Sequence, residues 1–223
     1  MRKYTSRLYP IFVTEKEQRL REMDKKRFEE TLLATKRKGI ENVLVELEKT
    51  DFFIAPASTR FHLACECGLL KHSLNVYDAA CSLREQAVQR SPALASLLPL
   101  DSIAITTLLH DTCKSDIYQK ATLSRRIAGG LWEKYSGYSV NYSTGIPLGH
   151  GEKSVIMLLS WGLVLTQEEM LAIRWHMSAW DLPMQSPEHK ESFNAAKAKS
   201  PLISLVQLSD GLASGIFEWE FSR

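Results

Sequence analysis

The sequence predicts an all-α bundle interrupted by one small inserted β-hairpin at about residues 117–147. Apolar residues recur at helical spacing through most of the chain, and the segments they define carry helix starts and stops. One stretch abandons that period for aromatic residues and a Gly129-Gly130 pair, which is strand and turn chemistry. With 223 residues, 44% of them hydrophobic, the chain can bury one sizeable core without disulfides or a structural metal.

The first residues, through Ile11-Phe12-Val13, read as extended. Thr14 with Glu15 and Glu17 marks a helix start, an oxygen cap followed by acids that complement the helix dipole. The helix runs to about Lys38 with Leu20, Met23, Phe28, Leu32 and Leu33 as its expected buried side. Gly39 breaks the pattern, and Ile40, Val43, Leu44 and Leu47 continue a second amphipathic helix to about Lys49. Residues 51–67 hold Pro56 and no sustained period, so they read as a structured loop.

From Gly68 to about Gln89, Leu70, Leu74, Tyr77 and Cys81 follow a helical repeat. Pro92 and Pro99 punctuate the next short segment, and Asp101 is the expected cap of a helix containing Ile103, Ala104, Leu108 and Leu109. In the hairpin region, strands at 131–135 and 138–142 are expected around a Ser136-Gly137 turn. Helices resume near Glu152, Gln167 and Pro201; Thr166 with Glu169 forms a capping box, and Ser200-Pro201 is a cap with proline at the first helical position. The expected organisation is residues 1–50 as an extended segment with peripheral helices, then 51–223 as the domain that carries chemistry.

The charge balance, 28 Lys+Arg against 26 Asp+Glu, argues against a protein that coats a polyphosphate backbone. Nucleic acid is therefore a permitted but disfavoured partner, whereas a nucleotide-sized substrate is untouched by this argument. Cys65, Cys67, Cys81 and Cys113 form no C-x-x-C pair, so neither a disulfide frame nor a thiolate zinc site is expected. No apolar run approaches the roughly 18 residues of a membrane span, and the start does not resemble a signal peptide. A soluble, cytoplasmic protein with no membrane partner is the expectation, and the oligomeric state is left open.

The six histidines carry the chemistry. His110-Asp111 closes an apolar helix, and adjacent helical residues, about 100° apart, face one space only near a helix end. His72 lies in the preceding apolar helix and Asp210 follows Val206 on one helical face, where burial without a partner would be costly. Taken singly, each is better explained as a hydrogen-bonded polar group of the core.

Together, His72, His110-Asp111, His150, His176 and Asp210 occur in an order that resembles the HD-domain superfamily of metal-dependent phosphohydrolases. The matching pieces read Gly-Leu-Leu-Lys-His72-Ser, Leu-Leu-His110-Asp111-Thr-Cys-Lys114, Gly-His150-Gly-Glu-Lys153-Ser, Ile-Arg-Trp-His176-Met and Leu-Ser-Asp210. The resemblance spans about residues 51–215 and implies an HD-type helical bundle. It also implies that His72, His110, Asp111 and Asp210 ligate one divalent transition metal. Imidazole with carboxylate suits Mn, Fe, Co, Ni or Zn. His150 and His176 fall where family members hold a second ion or contact substrate phosphate, so one or two ions are implied. Asp111 would bridge the ions or orient the attacking water.

Lys114, in the family's H-D-x-x-K pattern, would hold a phosphate oxygen; a lysine favoured by the helix dipole explains it equally well. The glycines around His150 open a helix whose free N–H groups, with His150 and Lys153, suit an anion. His62 could line the pocket or cap a loop. Arg60, Lys120, Arg125 and Arg126 could receive phosphates but are ordinary surface residues by composition. Trp175 fits core packing, Trp180 offers a stacking surface, Asp181 a support for His176, and His189 a solvated side chain.

The implied function is hydrolysis of a phosphate ester, of a nucleotide or a small phosphodiester, by metal-activated water. The partner is then a phosphorylated small molecule. Two alternatives stand beside it: a 3'-5' exoribonuclease-like HD nuclease, which would here lack room for a separate RNA-binding module, and a non-catalytic nucleotide sensor on the same fold.

Overall fold

A computed structural model of the chain describes residues 14–141, 143–144, 146–178 and 186–219. The expected extended segment before Thr14, and Trp180 and Asp181, lie outside the described residues. Nine helices are described: α1 (Glu15–Ala34), α2 (Ile40–Glu48), α3 (Gly68–Arg90), α4 (Leu94–Leu97), α5 (Leu100–Leu109), α6 (His150–Ser160), α7 (Gln167–Trp175), α8 (Pro187–Lys199) and α9 (Pro201–Leu212). Strands β1 (Tyr118–Arg126) and β2 (Trp132–Val140) form an antiparallel hairpin between α5 and α6.

Several helix ends form as the residue types dictate. Thr14 and Thr166 each close a reciprocal capping box, with Glu17 and Glu169, and Ser200 caps α9 ahead of Pro201. Asp101 does not cap α5. Pro99 holds that position, and Asp101 sits in the first turn, where its carboxylate meets Arg37 at 2.9 Å.

The hairpin turn also departs from expectation. Gly129 and Gly130 adopt φ of +83° and +79°, a region that L side chains disfavour, so the chain reverses there. Ser136 and Gly137 instead lie inside β2, where Gly137 pairs with Ala121 and Leu123 and Tyr135 cover the space of its missing side chain. Strand β1 was not expected, because Tyr118–Arg126 mixes polar and apolar residues without a clean alternation.

The core forms where α3 packs against α5 and α9, and α7 against α6 and α9. One apolar cluster joins Phe28, Leu32, Val43 and Leu47 of α1 and α2 to Leu69, Leu74, Ile105 and Leu108 of α3 and α5. A second gathers Ile103, Ala172, Trp175, Ile203 and Val206 from α5, α7 and α9. Trp175 is thus a packing residue, its ring tilted against that of Phe193 with centroids 5.7 Å apart. On α1 only Phe28 and Leu32 are buried; Leu20, Met23 and Leu33 face outward, because the helix touches the body along a narrow line.

A polar clamp ties these parts together. The Arg37 guanidinium meets the fully buried Glu169 through two hydrogen bonds of 2.7 and 2.8 Å, and Ser102 donates to the same carboxylate at 2.6 Å. No helix among the described residues is long and apolar enough to cross a membrane.

Candidate metal centre

Five of the six histidines converge. Their rings form a row, His62 to His72 at 4.5 Å, His72 to His110 at 5.3 Å, His110 to His176 at 4.7 Å and His176 to His150 at 5.7 Å between centroids. Each arrives from its own element: His62 from the loop before α3, His72 from the second turn of α3, His110 and His176 from the C-terminal caps of α5 and α7, and His150 from the first position of α6.

Asp111 lies at the centre and divides them. Its Oδ2 faces Lys114 Nζ at 2.6 Å, His110 Nε2 at 3.2 Å and His72 Nε2 at 3.6 Å. Its Oδ1 faces His150 Nε2 at 2.8 Å and His176 Nε2 at 3.4 Å. Asp210, on α9, reaches His72 Nε2 at 3.2 Å.

Gly151 makes the two-sided arrangement possible. A Cβ there would stand 2.3 Å from the Arg174 carbonyl oxygen, so the start of α6 lies directly on the end of α7. That backbone contact brings His150 beside His176.

The orientation of the rings is set from behind. His110 Nδ1 and His176 Nδ1 lie 2.7 Å from the carbonyls of Thr107 and Ile173. A carbonyl only accepts, so both Nδ1 atoms carry the proton. Burial pushes the His110 imidazole towards the neutral form, despite the opposing pull of Asp111. Its Nε2 is then a lone pair, aimed at a carboxylate oxygen. Nε2 of His110 and of His176 are both buried without a hydrogen-bond partner among the described residues. Such an arrangement is unfavourable until a cation stands between the donors.

Glu218 supplies the third backing contact, and no pattern in the sequence points to it. It is 1% exposed and accepts from His72 Nδ1 at 3.0 Å, His62 Nδ1 at 2.7 Å and the Asn75 amide at 2.9 Å. A π-helical turn, Ala213–Phe217, follows α9 and rotates Glu218 inward, a register that a 3.6-residue period does not foresee.

The electrostatics are those of a charged cage. Burial opposes ionisation of Asp111, but His110 and Lys114 hold its carboxyl well below the usual carboxylate range. Asp210 and Glu218 are depressed in the same way, against burial, by His72 and by His62 with His72. Without a metal, burial disfavours the His72 cation, yet hydrogen bonds to Asp210 and Glu218 push it up to about 9. Burial likewise opposes the His150 cation, while Cys113 and Asp111 hold it up at about 10.

These residues fit a divalent transition ion. His72, His110 and Asp111 present donor atoms within 4.8 Å of one another, and so do His110, His176 and Asp210. Such an ion takes ionised carboxylates, which are present, and neutral imidazole nitrogens, which His110 offers already and His72 offers once the ion displaces its proton.

Other expected residues fall elsewhere. Lys114, 7% exposed, is engaged with Asp111, a contact that raises its affinity for its proton against burial. His62 turns to Glu218 and thereby supports His72. Arg60 is exposed and lies over the Phe61 ring, and Lys120, Arg125 and Arg126 are exposed on the hairpin. His189 is half-buried, not solvated, with Nδ1 enclosed and without a partner among the described residues.

A cleft of about 560 Å³ opens beside the cluster, between the hairpin base and the start of α6. Tyr118, Asn141 and Leu148 line one side, and Cys113, His150 and Lys153 the other. Lys153 is 8% exposed. A separate depression of about 400 Å³ between α1, α3 and α5 contains none of the histidines.

Comparison of the chain with family models, with curated proteins and with solved structures returned no match.

Proposed function

We propose that the protein is a metal-dependent phosphohydrolase of the HD type, acting on a nucleotide or a small phosphodiester that enters the cleft beside His150. One observation carries the reading: His110 and His176 are locked as Nδ1–H tautomers with unsatisfied, buried Nε2 atoms turned towards Asp111. A hydrogen-bonded polar core would pair those atoms; a metal centre requires them bare.

In this reading His72, His110, Asp111 and Asp210 hold the ion. When bound, it supplies Lewis acidity that eases deprotonation of a water and offsets charge on phosphoryl oxygens. Asp111 Oδ1 receives or orients the water's proton on the side that faces His150. Lys114 keeps Asp111 ionised and fixed. Lys153, with the N–H groups at the start of α6, attracts the phosphate at the cleft wall. The positive charge needed is thus local, in keeping with a formal net charge of only +2.

The test is a panel of nucleotides, phosphomonoesters and aryl phosphodiesters with Mn²⁺, Mg²⁺ or Co²⁺ added to chelator-treated protein. Metal-restored hydrolysis of at least one class supports the reading. A fully metallated protein that binds nucleotides and cleaves none would be a sensor instead.

A further inference from the structure

The sequence offers no reason to give any cysteine a role, yet Cys113 lies in the wall of the site. Its sulfur, a carboxylate oxygen of Asp111 and a ring nitrogen of His150 all lie within 4.8 Å of one another. Buried cysteines usually serve as small apolar packing residues. Cys113, 1% exposed, belongs to neither apolar cluster and lines the cleft with His150 and Lys153.

Its position is held from both sides. Cys113 occupies the 3-10 turn Thr112–Lys114, two residues after Asp111, and its N–H donates to Ser154 Oγ at 3.1 Å. Ser154 is on α6, one turn after His150, so one hydrogen bond fixes the thiol turn to the helix that presents the imidazole. On this side of the cluster Asp111 Oδ1 meets His150 Nε2 at 2.8 Å, whereas the bare Nε2 of His176 groups with His110 and Asp210.

We propose that Cys113 supplies a thiolate ligand, beside His150 and Asp111, to the second ion that the family resemblance already implies on the cleft side of the cluster. This rests on the reading of the cluster as a metal centre. Asp111 belongs to both positions, Oδ2 turned to His72 and His110 and Oδ1 to His150. The two positions then differ in chemistry. The first offers only imidazole and carboxylate, whereas the second adds sulfur, which favours zinc or cobalt over manganese or magnesium. Three protein ligands leave a coordination place open, as in catalytic sites, and the cleft is the adjoining free space.

Titration of Co²⁺ into the chelator-treated full chain, followed by absorption, tests this. The wild type should develop a thiolate-to-cobalt charge-transfer band in the near ultraviolet beside the visible d–d bands. Cys113→Ser should lose the charge-transfer band, keep d–d absorption from the first position, and bind about one ion fewer. Visible bands without a charge-transfer band in the wild type, or a charge-transfer band unchanged in Cys113→Ser, would overturn the thiolate position alone. No cobalt binding at all would overturn the metal reading itself. Should Cys113→Ser fail to fold by circular dichroism, X-ray absorption of the zinc-loaded wild type decides: a sulfur neighbour at about 2.3 Å supports the position, and only nitrogen and oxygen neighbours overturn it.

Discussion

Glu218→Gln is the most informative single change behind the proposed metal centre. The substitution keeps shape and volume but leaves one accepting oxygen where the carboxylate serves His72, His62 and Asn75 at 3.0, 2.7 and 2.9 Å. The negative charge that polarises the His72 ring through Nδ1–H disappears with it. Loss of such a backing contact typically costs 10–100-fold in metal affinity, or about 1.4 to 2.7 kcal/mol. The upper end is expected here, because Glu218 is 1% exposed and water cannot replace the lost acceptor. Competition against a chromophoric chelator measures the affinity, and circular dichroism checks the fold. His62→Ala leaves Glu218 in contact with His72, so it should weaken binding several-fold less. An affinity for Glu218→Gln within about twofold of wild type would refute the claim that Glu218 orients a ligand.

Four further outcomes are expected of the same structure. Arg37→Ala strands the fully buried Glu169 carboxylate and should cost about 3 kcal/mol, lowering Tm by roughly 6–12 °C in a thermal melt. Gly151→Ala puts a methyl group 2.3 Å from the Arg174 carbonyl, so α6 must lift from α7; stability should fall by about 2 kcal/mol, with loss of the His150-side ion in metal analysis. In the metal-free protein, His72 and His150 should keep their protons up to a pH of about 9 and about 10, against an ordinary 6.5. Their contribution to stability is full below about pH 6.5 and fades as pH rises through about 9 to 10, so the Tm of the metal-free protein should fall across that window. Metal binds the deprotonated rings, so its apparent affinity should rise about tenfold per pH unit for each histidine proton displaced, with proton release visible by calorimetry in buffers of different ionisation enthalpy.

Much of the helical frame is legible in the sequence because its signals are local. Thr14 and Thr166 cap with a glutamate three residues on, and Ser200-Pro201 needs no tertiary context. The hairpin turn is not, because Ser136-Gly137 and Gly129-Gly130 both carry turn chemistry; only strand pairing, with Tyr118–Arg126 opposite Trp132–Val140, decides between them. The outward face of Leu20, Met23 and Leu33 depends on how little of the body α1 meets, which no period records.

At the site, the ligand-type histidines and aspartates can be read because burial of such groups in apolar helices demands a reason. His110 and His176 share a further local logic: each ends a helix and donates to the carbonyl three residues back. Glu218 and Cys113 escape because each sits where the helical period is broken, by a π turn and a 3-10 turn respectively. Arg60 goes the other way: proximity to His62 in the chain does not place its exposed side chain at the cluster.

The proposed metal centre is tested most directly by the metal content of the purified chain, measured by inductively coupled plasma mass spectrometry beside that of Asp111→Asn. One or two tightly held transition ions per chain are expected in the wild type. Asp111→Asn should fold yet lose most of that metal, because the carboxylate it replaces is the donor shared by every histidine from His72 to His176. A wild type that neither carries nor takes up a stoichiometric ion, or an Asp111→Asn protein that keeps its full complement, would contradict the assignment.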